Sequence, residues 1–583
     1  MATAEHPLPA RQHDGAARKA EGFATPKEDQ KPQCARVLPT RVLPVIFLPG
    51  IMGSNLRMSE QRREELGKKD NIAWRPDSLG AANVRANAKE SPGDRQLRLD
   101  PLQTTVDIYD PAAEFGVSGD GRHGNVGLEE NFRSPLLTDD PATMPNRRTA
   151  VQKARARGWG EVFFKSYGKL LQHLESRLNS TFAHGKLQPA WQDVVGVDPQ
   201  AWSPDPKLPQ KALTEEELRK VATGCWFAVY AFGYNWLQSN GDSAKIIAVR
   251  INRVIDELKA SGYDCNQVIV VTHSMGGLVG RALVHPSYGN LQDKVLGIVH
   301  GVMPAIGAPA AYKRMRAGFE DPGMMHDAKA SIGAKVAGNF GAEVTAVLAN
   351  SPGALQLLPT ESYGNGWLRV QHNGRELDAW PKQGDPYREI YKVRARWYAL
   401  FREEWINPCG LPVDHGGGTF DRTCEYIDKV QVFHRTIANT YHPNSYAHYG
   451  ADRARRSFGE VVWDIRNCGN PAGWQNWPIV RDSGQGRLEF TEWDPEGVNN
   501  IGAMPFGESL SEPIHATLLA PSAPGDQTVP MKSADHQLRS GLFKGVFRQT
   551  GYEHQSSYQD PRAIASTLYS IVRIAQQANW TCK

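Results

Sequence analysis

Val268-Ile269-Val270-Val271-Thr272-His273-Ser274-Met275-Gly276-Gly277-Leu278 is the stretch that decides how this chain folds. The unbroken β-branched run reads as a strand buried on both faces of a parallel sheet. It leads into Ser274 and then into a helical pattern from Leu278 to His285. Strand, tight turn and helix around a serine form a nucleophile elbow, which lifts a hydroxyl above the sheet. Gly276 and Gly277 let the helix lie close to the sheet, and its N-terminal N–H groups face the place where an oxyanion would develop. Thr272 stands where the G-x-S-x-G pattern begins with glycine, a position a β-branched residue can hold if its φ stays negative. The competing reading is an ordinary serine opening a Rossmann-like helix.

Other α/β elements flank the elbow. Arg41 to Leu48 reads as a buried strand ended by Pro49-Gly50, and Cys225 to Phe232 as a second. Asp242 or Ser243 would cap a helix whose apolar positions Ile246, Ile247, Ile251, Val254, Ile255 and Leu258 keep one face buried, stopped by Gly262. Val295 to Val302 is the next strand. Thr214 with Glu217 makes a capping box, and Val162 to Leu174 has helical spacing. From about 310 to 512 the alternation breaks into Gly- and Pro-rich loops with helical pieces such as Tyr387 to Trp405. That stretch holds eight of the 15 tryptophans. They either fill the core of an inserted cap or line a lid that faces an acyl chain. Strands near Ala516 to Ala520 and Val546 to Gln549 then precede a closing helix with Asp560 as N-cap and Pro561 as its first residue. Alternating strands and helices imply a mostly parallel sheet covered on both faces. The expected organisation is a disordered lead-in (1–40), a core (41–309) with a long insertion at about 57–211, a cap (310–512), and a returning core segment (513–583).

At 583 residues the chain exceeds a single ordinary core. With 40% hydrophobic and 22% charged residues it has the composition of a soluble globular protein. A net charge of +4 without a basic stripe argues against a nucleic-acid partner. No apolar run reaches the roughly 20 residues of a membrane span, and the N-terminal segment shows no Sec-type signal. The seven cysteines have no metal-ligand spacing, and a Cys409–Cys424 bridge stays open. No catalytic metal is expected, although carboxylate-bound Ca²⁺ in the long loops remains possible.

A serine becomes nucleophilic when an imidazole takes its proton and an acid orients that imidazole. In an elbow architecture both follow the serine, acid first. Asp526 lies in Gly525-Asp526-Gln527-Thr528-Val529-Pro530, and His554 in Glu553-His554-Gln555-Ser556-Ser557-Tyr558. Their spacing of 28 positions leaves room for a crossover and a strand. The rivals are His536, which is placed in the crossover, and Asp321 and Asp327, which follow an earlier strand. Glu553 should point away from its neighbour, His273 should lie buried beneath the elbow, and His442 and His448 should be surface residues of the cap. For the oxyanion, Met275 offers one N–H; Ile51, or alternatively Met52, offers the other from the loop Pro49 to Ser54.

These residues together resemble the lipase branch of α/β hydrolases that includes lecithin:cholesterol acyltransferase and the GPI-inositol deacylases. The matching stretches are Phe47 to Ser54, Tyr230 to Trp236 (with Asn235 where that branch has Asp), Thr272 to Gly277, and Gly525 to Pro530. The large cap with His442-Pro443-Asn444-Ser445-Tyr446 and the His554 loop are similar to those of bacterial lipase effectors of type VI secretion. The resemblance implies an α/β-hydrolase fold and a Ser274–Asp526–His554 triad without a cofactor. It also implies an antibacterial serine phospholipase made in the cytoplasm without a signal peptide. Exported through a secretion-spike component, it would act on membrane phospholipid in a rival's periplasm while an immunity protein protects the producer. The alternatives are a cytoplasmic or cell-envelope carboxylesterase or acyltransferase with the same triad, and an inactive binding scaffold.

Overall fold

A computed structural model describes residues 10–14, 17–23, 32–37, 39–76, 90–110, 125–319, 338–412, 418–490 and 513–580. Its centre is a parallel sheet of six strands: β1 (Val45–Leu48), β2 (Val229–Ala231), β3 (Val268–His273), β4 (Val295–Gly301), β5 (Ser445–Gly450) and β6 (Phe543–Gln549), in the order β2-β1-β3-β4-β5-β6. Pro44, which lacks an N–H, separates β1 from the short strand Arg41–Val42, so the expected long strand comes in two pieces.

Alternation along each strand sends side chains to two cores. Ile46, Leu48 and Val270 pack against helices α2 (Asn240–Ala260) and α3 (Gly276–Val284). Val45, Phe47, Ile269 and Val271 pack on the other face against α1 (Phe164–Asn179) and α5 (Pro561–Ala575). Truncating a fully buried leucine of these helices, such as Leu174 or Leu568, would cost about 2–5 kcal/mol. The Thr214 capping box and the Asp560 N-cap are both present. Helix α2 begins earlier than its sequence suggested, because Ser239 rather than Asp242 or Ser243 caps it.

The stretch 310–512, expected to be all cap, supplies a central strand. β5 (Ser-Tyr-Ala-His-Tyr-Gly) lacks a β-branched run, which hides it from a pattern search. The strand expected in the core near 516–520 is His515–Leu518, and it belongs to a second, mostly antiparallel sheet of six strands. Those strands run in the order Arg375–Trp380, Leu368–His372, Val461–Arg466, His515–Leu518, Arg487–Phe490, Ile479–Asp482. Trp367, Trp397, Trp463, Trp474 and Trp477 are buried, with Trp397 packed edge-on against Trp463 and Trp474. These tryptophans therefore fill a core; Trp493 lies outside the described residues. Tyr387 to Trp405 is not one helix. A single wide turn, Tyr387–Tyr391, and a 3₁₀ turn, Glu403–Trp405, bracket irregular chain there.

One further expectation is corrected. Within the lead-in, Ala10–Asp14, Ala17–Phe23 and Pro32–Val37 pair as an antiparallel meander, a backbone ladder that composition does not reveal. Cys409 and Cys424, whose pairing the sequence left open, are both free thiols. Helix α4 (Phe420–Ile437) is joined to the sheet layer by buried Arg281 of α3, which donates to the carbonyls of Ile437, Ala438 and Thr440 and caps the helix C-terminus.

Candidate active site

Ser274 follows the last residue of β3 with φ +52°, a left-handed conformation that costs a non-glycine residue about 1–3 kcal/mol. The turn is held by the Ser274 N–H, which donates to the Gly301 carbonyl at 2.8 Å, and by the start of α3. Close approach explains the glycines. A Cβ at Gly276 would lie 2.5 Å from the carbonyl oxygens of Leu48 and Pro49, and one at Gly277 would lie 2.5 Å from the Met303 sulfur. Thr272 keeps strand geometry, and its methyl fits because Gly280 faces it; a Cβ there would come within 3.2 Å.

His554 and Asp526 meet this serine. The His554 Nε2 lies 2.8 Å from Ser274 Oγ, and its Nδ1 lies 2.9 Å from Asp526 Oδ2. With Nδ1–H donating to the carboxylate, Nε2 has its lone pair free to accept from the serine hydroxyl. The other carboxylate oxygen, Oδ1, accepts from the N–H groups of Thr528 at 3.1 Å and Val529 at 2.7 Å. The Asp526 N–H donates to Ser457 Oγ, and the Asp526 carbonyl accepts from the His554 N–H at 2.9 Å. Ser274, His554 and Asp526 are 5%, 8% and 1% exposed, so these bonds act in a poorly solvated setting where each is strong.

The route by which Asp526 arrives was not legible in the sequence. Its loop does not extend from a core strand. Instead Ala523–Gly525 pairs antiparallel with Asp452–Ser457, the continuation of β5, and lays Asp526 against Gly450 at the end of that strand. Asp452 also accepts from the Gly551 N–H at 3.0 Å, which ties the same base to the His554 loop. Ser457, which holds the Asp526 amide, carried no sequence signal.

The loop after β1 lies against the elbow. Gly53 N–H donates to the Gly50 carbonyl at 3.0 Å, Met52 has φ +59°, and its carbonyl accepts from Trp74 Nε1 at 2.7 Å. A Cβ on Gly50 would stand 3.0 Å from Ser274 Cβ. Ile51 and Met52 are half-buried on this turn, and Met275 sits at the head of α3.

The rivals fall elsewhere. His536 Nδ1 bonds the Tyr441 hydroxyl at 3.0 Å, and among the described residues no hydrogen bond links His536 to Ser274 or Asp526. Asp321 and Asp327 lie outside the described residues. Glu553 is exposed and His273 is buried. His442 and His448 are buried too, against expectation; His448 is part of β5, inside the sheet. Burial pushes the His448 ring down to about 4, so it stays neutral. Among the described residues no group of three or more His, Cys, Asp or Glu side chains could hold a metal ion, and no helix is long and apolar enough to cross a membrane.

No family model matches the chain, and no curated protein sequence does. Among solved structures, the crystal structure of the Tle4–Tli4 complex matches with a TM-score of 0.69 and 30% sequence identity, over 93% of this chain and 100% of that one.

Proposed function

The chain belongs to the family of the type VI secretion phospholipase effector Tle4, and from that premise we propose that it is an α/β hydrolase that cleaves acyl ester bonds of membrane phospholipids with a Ser274–His554–Asp526 triad. The observation that carries this reading is the continuous hydrogen-bond chain from Ser274 Oγ through His554 to a buried carboxylate, gathered at the C-terminal ends of β3, β5 and β6.

In this mechanism Ser274 Oγ attacks the ester carbonyl while His554 Nε2 takes its proton. Asp526, held by the N–H groups of Thr528 and Val529, fixes the imidazole tautomer and stabilises the imidazolium. The N–H groups of Met275 and Ile51, or of Met52 in place of Ile51, hold the tetrahedral oxyanion. A misplaced or missing donor of this kind costs about 100- to 1,000-fold in kcat. His554 then protonates the leaving lysophospholipid oxygen, and water, activated by the same imidazole, releases the fatty acid and restores Ser274.

Kinship with an effector crystallised beside its partner supports the rest of the reading. The protein is exported by type VI secretion and acts on a target cell's membrane from the periplasm, and an immunity protein guards the producer. The deciding experiment compares hydrolysis of phosphatidylethanolamine vesicles with that of a soluble short-chain ester, using Ser274→Ala as blank. Fatty acid release from vesicles is the expected result. Turnover of the soluble ester alone would replace the phospholipase by a carboxylesterase.

A further inference from the structure

Beneath the Ser274–His554 pair runs a second chain of hydrogen bonds that the mechanism above leaves unused. The Gly50 N–H donates to the Tyr167 hydroxyl at 3.2 Å, and the Tyr167 oxygen lies 3.1 Å from His273 Nδ1. His273 Nε2 lies 3.0 Å from the backbone carbonyl of His554. A backbone amide can only donate and a carbonyl can only accept, so Nε2–H donates to the His554 carbonyl, and in a neutral ring Nδ1 accepts from the Tyr167 O–H.

The surroundings keep it neutral. Burial, and next the proximity of His554 and His448, hold the His273 ring down at about 3. Tyr167 and His273 are each 1% exposed, so no bulk water competes for their bonds. The rings pack in series: Phe47 on Tyr167 at 4.8 Å between centroids, Tyr167 on His273 at 5.3 Å, and His273 on His554 at 5.2 Å. Glycine is needed above them, because a Cβ on Gly50 would lie 2.8 Å from His273 Nδ1 and one on Gly53 would lie 2.8 Å from the Tyr167 hydroxyl. A second tie runs from α1 to the His554 loop, where Gln555 Nε2 donates to Ser166 Oγ at 3.0 Å.

We infer that Tyr167 and His273 are positioning residues that clamp the oxyanion loop at Gly50 to the backbone of His554, fixing the separation between the oxyanion donors and the general base. The inference rests on the reading of Ser274, His554 and Asp526 as the triad. Both residues are buried and act through the loop and the His554 backbone. A displacement of about 1 Å between reacting groups can cost 100-fold in rate, which is the scale this clamp protects.

The test is steady-state hydrolysis of a p-nitrophenyl acyl ester, with active sites counted by a fluorophosphonate that labels Ser274, for Tyr167→Phe, His273→Leu, His273→Gln and the Tyr167→Phe/His273→Leu double variant. The expected result is a fall in kcat per labelled site of about ten- to 100-fold in Tyr167→Phe and His273→Leu, with KM unchanged. His273→Gln restores most of the rate, because its amide can accept from Tyr167 and donate to His554. The double variant is no slower than the worse single, as members of one chain are not additive. Unchanged kcat per labelled site, losses that multiply in the double variant, or a His273→Gln as slow as His273→Leu would each overturn the clamp. A wild-type protein that the fluorophosphonate does not label at Ser274 would overturn the triad reading, and the clamp with it.

Discussion

Four buried histidines make the fold vulnerable to mild acid, by an amount that follows from their surroundings. His273 and His300 are pushed down to about 3, and His434 and His448 to about 4, in each case chiefly by burial. Among the described residues His300 Nε2 and His448 Nε2 are buried without a hydrogen-bond partner, so none of these offers an acceptor for a second proton. A histidine in the unfolded chain takes up its proton near pH 6.5. Below that pH the unfolded state binds protons that the folded state refuses. The stability is therefore fully present above pH 6.5 and is lost as the pH falls toward 3 or 4. Between pH 7 and pH 5 the loss is about 2 kcal/mol per histidine and about 8 kcal/mol for all four, against a typical total of about 5–15 kcal/mol. Urea unfolding followed by tryptophan fluorescence at both pH values would measure it for wild type, His300→Gln and His448→Gln. Each variant should shrink the difference between pH 7 and pH 5 by about 2 kcal/mol, whatever its stability at pH 7. Variants whose pH difference equals that of wild type would show that these rings accept protons in the folded state and would refute the reasoning.

Further expectations concern the site. Ser274→Ala should fold normally and retain less than about a hundredth of wild-type turnover, since triad losses run to about 10⁴ or more; a faster folded variant would remove Ser274 as nucleophile. Asp526→Asn and His554→Ala should be similarly inactive and His536→Ala active, because His536 bonds Tyr441 and not the carboxylate; the opposite pattern in the same ester assay would reassign the base. Ser457→Ala removes the acceptor of the Asp526 amide and should lower stability by about 1 kcal/mol, with a loss of kcat larger than any change in KM. Gly276→Val should prevent native folding, because its side chain would meet the Leu48 and Pro49 carbonyls; a soluble, active variant would show that the sheet can yield there.

The elbow was legible because each of its parts obeys a local rule: a β-branched run, a serine, and glycines where a helix must lie close to a strand. Asp526 and His554 were legible as residues because polar loops punctuated by glycine and proline follow apolar strands near the C-terminus. The path between them was not. β5 carries Ser445, His448 and Gly450 in place of valines, and its burial comes from neighbours on both sides, which no window of its own sequence contains. His448 read as a surface residue for the same reason. Tyr167 is spaced as an ordinary helix-face aromatic, and only the tertiary fold brings its hydroxyl to His273. The cap tryptophans permitted two readings because burial, which decides between them, is set by the partner strand across the second sheet.

The pairing of Asp452–Ser457 with Ala523–Gly525 has a consequence for when the protein becomes active. The strand partners of this short ladder are separated along the chain by four strands of the second sheet, and closing a loop of that size costs conformational entropy that local contacts do not. A chain with its central strands assembled but its second sheet unformed would already hold Ser274 in its turn, yet would have no carboxylate beside His554. On the triad reading, hydrolysis therefore requires the second sheet to have closed as well as the central one.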